Sequence, residues 1–279
     1  MANWFKTMVL FVGLSLLLMV IGGAVGGRYG VALALLVSLG INAFSYWFSD
    51  KLVLASYKAK ELTESEAPRV HAVVAQLSQV ASIPKPKVYR IPTDSPNAFA
   101  TGRSPNHAVV VVSDGILELL DEEELKGVLG HELAHVKHRD ILIGTVAASI
   151  ASAIMFLSYI ARWGAIFGGF GGSRNRDSNI LVLLVAAIVA PIAALLIQMA
   201  ISRSREYDAD AAGASYAGNP YGLANALKKL KVQSMRIPLK ATVQTAHMFI
   251  VKPFTGRGLG SLFSTHPPID KRIARLLGR

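Results

Sequence analysis

The 279-residue chain predicts an α-rich integral membrane protein with four transmembrane helices and a cytoplasmic α+β domain. Hydrophobic residues make up 52% of it, too many for an ordinary soluble domain. Four stretches, Met8 to Val25, Tyr29 to Phe48, Ile141 to Ile160 and Ile180 to Ile201, each supply the about 20 apolar residues that a bilayer-crossing helix needs, and none contains an internal acid or lysine. Between and after these stretches lie two polar blocks with strand and helix patterns.

Residues 1-50 read as a first transmembrane hairpin. Lys6 precedes an apolar run that ends in small residues, as in a signal peptide, but a second span follows after only Gly26, Gly27 and Arg28, which favours an uncleaved hairpin. Residues 51-140 form the first part of the polar domain, with a helix around Pro68 to Ala81 and strands near Lys87 to Ile91, Asn97 to Thr101 and His107 to Val112. The last strand is rich in β-branched valines. Ser104, Pro105 and Asn106 before it are turn residues, so it pairs antiparallel with the Asn97 strand. Asp121 caps a helix beginning EEELKGVLGHELAH, whose first turn is acidic as a helix N-terminus favours.

Residues 141-201 form the second hairpin, joined by the glycine-rich polar linker GAIFGGFGGSRNRDSN. Residues 202-279 complete the domain, with a helix through Glu206, another from Tyr221 to Met235 and a last one from Ile269 to Leu277. Near the span ends, Lys6, Lys51, Lys58, Lys60, Lys137, Arg139, Arg203 and Arg205 share one side, against Arg28, Arg162, Arg174 and Arg176 on the other. The positive-inside rule puts both termini and both polar blocks in the cytoplasm.

Cysteine is absent, which excludes disulfides, a thiol nucleophile and cysteine-ligated zinc, so a transition-metal site must use His, Asp or Glu. The net charge of +11 suits a domain lying on anionic lipid. Nucleic-acid binding is disfavoured, because no aromatic-basic platform accompanies the charge.

His131, Glu132 and His135 form H-E-x-x-H on the Asp121-capped helix. Four residues turn a helix through about 400°, so both imidazoles project from one face and can grip one metal ion. Catalytic zinc takes three protein ligands and keeps one position open. A further histidine six positions after the second is excluded, since Ile141 stands there. His138 shares the face but lies about 10 Å farther along the axis than His131, and a solvated or headgroup-facing role suits it better. The better third ligand is Glu206 in SRSREYDADAAG, with Asp210 one turn later to orient a ligand histidine. His135 precedes the third span, and Glu206 follows the fourth, by about five residues each. An antiparallel hairpin would then return both to the same face at matching height, each about 7 to 8 Å beyond the apolar boundary. Glu132, a quarter-turn aside, is placed to take a proton from water and pass it to a leaving amine.

GHELAHVKHRD, SRSREYDADAAG, PNAFATG and THPPIDKRI, with a membrane hairpin between the first two, resemble the HtpX family of membrane zinc endopeptidases, relatives of the eukaryotic prenyl-protein CAAX protease. The resemblance covers nearly the whole chain. It implies a zincin-like (gluzincin) domain, one Zn2+ held by His131, His135 and Glu206, Glu132 as catalytic base, and quality control of damaged proteins at the bacterial inner membrane. It also favours Asn97, Ala98, Phe99 and Ala100 as an exposed strand that pairs with extended substrate, over a plain structural strand. His266, a candidate catalytic residue, either donates to the oxyanion of the tetrahedral intermediate or packs beside the Pro267–Pro268 turn. Arg272 either pairs with an acid near the site or is a solvated helix charge.

Two other readings compete. Proteolysis within the membrane would bury H-E-x-x-H in a span, against which the charges of EEELK argue. A non-catalytic metal-binding scaffold or transporter would need no general base, so Glu132 discriminates it.

Overall fold

A computed structural model describes residues 2–143, 146, 203–236 and 267–278. The first element, α1 (Ala2–Ser56), breaks at Gly27, whose φ of 57° and ψ of −142° glycine adopts at little cost. The two limbs fold back on each other. The Asn42 side-chain amide crosses between them, donating to the Phe11 carbonyl at 3.2 Å and to Ser15 Oγ at 3.1 Å. Gly22 and Gly30 approach so closely that a Cβ on either would strike the other's backbone. Val20, Leu33, Leu36 and Leu39 point outward, an apolar surface of the kind that lipid covers. Among the described residues, Gly27–Phe48 is long and apolar enough to cross a membrane by length and composition, and Thr7–Val20 is a shorter apolar helix. Apart from residues 141–143 and 146 of the expected third span, that span, the linker and the fourth span lie outside the described residues.

Beyond the hairpin come β1 (Lys60–Glu61), α2 (Pro68–Ala81), β2 (Lys87–Ile91), β3 (Ala98–Gly102), a 3-10 turn at Pro105–His107 and β4 (Ala108–Ser113). The sheet order is β1-β2-β4-β3. β4 pairs antiparallel with β3, as the Ser104–Asn106 turn predicts, and parallel with β2. Side-chain alternation divides the sheet into two faces. Ala98, Ala100, Val110 and Val112 join Val88, Leu77, Val128, Leu129 and Leu133 in the main core against α2 and the histidine helix. Phe99, Val109, Val111 and Ile91 pack on Val53, with Tyr57 also against them, so the end of α1 supports the opposite face. The domain therefore sits directly on the hairpin, with the Phe99 and Tyr57 ring centroids 5.8 Å apart.

The sheet leads through α3 (Asp114–Leu119) into α4 (Glu122–Lys137). Asp121 accepts from the Glu124 N–H at 2.9 Å and Glu124 accepts from the Asp121 N–H at 3.0 Å, a reciprocal cap that starts α4 where the sequence predicts. Asp121→Ala is expected to cost about 1 kcal/mol of stability, read as a lower thermal midpoint; an unchanged midpoint would contradict it. α5 (Arg203–Ala217), α6 (Tyr221–Arg236) and α7 (Ile269–Leu276) complete the described chain, and α4 packs on α5 and α6. Glycines make these crossings close. A Cβ on Gly130 would lie 2.7 Å from the Gly213 carbonyl oxygen, and one on Gly213 would lie 2.5 Å from the His131 nitrogen.

Candidate metal centre

Helical spacing sets His131 and His135 one turn apart on α4, and their ring centroids lie 4.7 Å apart. The glycine crossing brings the first turn of α5 against them, carrying Glu206 and, four residues on, Asp210. One donor atom each from His131, His135 and Glu206 lie within 4.8 Å of one another. The two Nε2 atoms are 3.2 Å apart. Glu206 Oε1 lies 3.5 Å from His135 Nε2, and Oε2 lies 3.8 Å from His131 Nε2. A tetrahedral ion with ligands at about 2.0–2.1 Å separates its donors by roughly 3.3 Å, and these approaches, made to the two histidines through different oxygens of Glu206, are close to that spacing.

The histidines are oriented from behind. Asp210 Oδ1 lies 2.9 Å from His131 Nδ1, and Asp140 Oδ2 lies 3.1 Å from His135 Nδ1. A carboxylate at Nδ1 holds the proton there and leaves the Nε2 lone pair pointing inward. With both Nδ1 atoms protonated, the two Nε2 atoms at 3.2 Å converge on one point, where either a shared proton or one cation satisfies both. Charge agrees: the buried carboxylates of Glu132, Asp140, Glu206 and Asp210 face the two guanidiniums of Arg205 and Arg272. A divalent cation balances the two remaining negative charges. The residues present thus fit a bound metal ion.

The same imbalance is visible in the titrating groups. Burial works against charge on His135, but the Asp140 hydrogen bond and the charges of Glu206, Glu132 and Asp140 outweigh it and push its pKa up to about 9. Metal binding has to displace that proton. Burial holds Glu132 above the ordinary carboxylate range, although His131 and His135 pull it back. A raised carboxyl suits a group that must accept and return a proton near neutral pH. Burial would also raise Asp210, but its hydrogen bonds to Arg272 and His131 hold it below its ordinary value.

Glu132 stands outside the donor triangle. Its Oε2 accepts the Ala100 N–H at 2.9 Å, so β3 fixes the carboxylate beside the histidines. The Ser113 N–H donates to the Asn97 carbonyl, and strand alternation then turns the backbone groups of Ala98, Ala100 and Gly102 away from β4, toward the edge where Glu132 sits. β3 is the edge strand of the sheet beside the base, yet it is buried along its whole length rather than exposed as expected. Its two faces are covered by α4 and by the end of α1.

Arg272 is likewise no solvated charge. It is 0% exposed and grips Asp210 through Nε at 2.9 Å and Nη2 at 2.6 Å, with Nη1 3.7 Å from Glu206 Oε2. Two carboxylates in the interior give the guanidinium more than solvent does. His138 is exposed at the end of α4, and His266 lies outside the described residues. The sequence reading missed Asp140, Arg205 and the Ala100 N–H. Arg139, with φ of 59°, reverses the chain after α4 and returns Asp140 toward His135.

H-E-x-x-H on one helix, a glutamate from a second helix and a carboxylate behind each imidazole define a metallopeptidase. The pattern of peptidase family M48 matches residues 64–279, and the chain belongs to that family. Its relatives include a "Protease HtpX homolog" of Desulfatibacillum aliphaticivorans, 57% identical over 100% of this chain and 90% of the relative. Proteins of the same description from Syntrophobacter fumaroxidans and Thermococcus kodakarensis are each 52% identical, over 99% of this chain and 99% of the relative, and over 98% and 94%. A crystal structure of S. mikatae Ste24p shares the fold, with a TM-score of 0.52 and 17% identity over 99% of this chain. The chain spans 65% of that structure's length.

Proposed function

We propose that the chain is a membrane-embedded endopeptidase using one zinc ion, which cuts misfolded or damaged membrane proteins on the cytoplasmic side of a bacterial inner membrane. The observation that carries this reading is the His131, His135 and Glu206 triangle with Glu132 beside it. His and Glu donors with tetrahedral spacing suit zinc. When bound, the ion supplies Lewis acidity to water and to the scissile carbonyl. Glu132 takes the water proton on its carboxylate and hands it to the leaving amine. The outward backbone groups of Ala98 and Gly102 lie on the Glu132 side of β3 and suit pairing with an extended substrate once that edge is uncovered. His266 would donate to the oxyanion.

The cytoplasmic assignment rests on the clustering of Lys and Arg beside the apolar stretches, and the membrane assignment on four such stretches in two hairpins, 1-50 and 141-201. Residues 51-140 and 202-279 together would form the protease domain.

Full-length protein reconstituted in liposomes with a membrane substrate bearing an unfolded cytoplasmic segment provides the test. A zinc chelator should abolish cleavage and stoichiometric zinc should restore it. Cleavage that persists after metal removal would overturn the reading.

A further inference from the structure

Each histidine of the triangle has its own carboxylate, and each carboxylate has its own arginine. Arg272 holds Asp210 behind His131. Asp140 lies behind His135, and Arg205 Nη1 lies 3.4 Å from Asp140 Oδ1 while Asp140 Oδ2 faces His135 Nδ1. Asp140 is buried, and His135 and Arg205 are largely so. The two carboxylates arrive by different routes, Asp210 from the helix that carries Glu206 and Asp140 from the start of the helical segment that follows the turn at residues 138–139 after the histidine helix.

Building on the metal reading above, we propose that Asp140, steadied by Arg205, is a second positioning residue of the metal centre: it fixes His135 as the Nδ1–H tautomer and aims Nε2 at the ion. The chemistry requires such a group. A neutral imidazole must carry its proton on the nitrogen away from the metal, and a carboxylate at 3.1 Å selects that form and raises the basicity of the other nitrogen. Arg205 directly precedes Glu206, so one turn of α5 delivers both the third donor and the cation that orients Asp140. This places a requirement on the D of GHELAHVKHRD that the H-E-x-x-H pattern alone does not contain.

The experiment uses the full chain in detergent, with Glu206→Ala, Asp140→Ala, Asp140→Asn and Arg205→Gln. Zinc affinity is measured by chelator competition, and the visible spectrum is recorded after cobalt substitution. Asp140→Ala should weaken zinc binding about 10- to 100-fold and alter the cobalt bands. Asp140→Asn keeps an oxygen that accepts from Nδ1–H, so it should recover much of the affinity. Arg205→Gln should have a smaller effect than Asp140→Ala. If Asp140→Ala binds zinc as the native chain does with an unchanged cobalt spectrum, the proposal is wrong. If Asp140→Asn and Arg205→Gln each match the loss in Asp140→Ala, the pair is a structural ion bridge and the proposal is also wrong. Retention of zinc by Glu206→Ala would instead overturn the metal site itself.

Discussion

Glu132→Gln is expected to retain the metal and to lower the rate of peptide cleavage by about 10²- to 10⁴-fold, the usual contribution of a positioned acid–base group. Glutamine has nearly the same shape. Its carbonyl oxygen can still accept the Ala100 N–H that holds Glu132 at 2.9 Å, so β3 and α4 should stay in register. What it lacks is the ability to take a proton from water, and that lies on the catalytic step rather than on folding or metal binding. Since Glu132 lies outside the cluster of His131, His135 and Glu206, metal content should remain at one ion per chain. Zinc analysis beside turnover separates the outcomes. Full turnover with metal retained would favour a non-catalytic metal protein.

Gly213→Ala should cost the site its metal even though it adds a single methyl group. The new Cβ would lie 2.5 Å from the His131 nitrogen and 2.7 Å from its Cα, backbone atoms that no rotamer change can move. Ordinary contact begins near 3.4 Å, so α4 and α5 must separate by about 1 Å. Metal–ligand distances tolerate about ±0.2 Å, and Glu206 on α5 would leave the triangle. Such overpacking costs roughly 1–3 kcal/mol. Intrinsic helix propensity runs the other way, alanine being favoured over glycine by about 1 kcal/mol, so loss of metal cannot be charged to a weaker helix. Chelator competition with circular dichroism reads both effects. Native zinc affinity in this variant would show that the crossing does not set the site's geometry.

Local chemistry explains what the sequence disclosed. His131, Glu132 and His135 sit on one capped helix, where spacing alone fixes their relation, and Asp210 falls one turn after Glu206 for the same reason. Asp140, Arg205 and Arg272 act across elements, and no periodicity records which acid an arginine meets when two helices close on each other. Arg272 lies in a short helix rich in charge, where a solvated residue and a buried one look alike. β1 has two residues, too few for alternation, and β2 finds its parallel partner only after β3 has intervened. The sequence also suggested that the second hairpin aligns the two halves of the site. Beyond residues 141–143 and 146 its spans fall outside the described residues, within which the Gly130–Gly213 crossing already brings α5 onto α4.

X-ray absorption at the zinc edge of the loaded full-length protein tests the central claim most directly. The account predicts two imidazole nitrogens and carboxylate oxygen at about 2.0–2.2 Å, with zinc no longer held when Glu206 is replaced by alanine. Three or more imidazoles around the ion, or an unchanged spectrum in the Glu206→Ala protein, would contradict it.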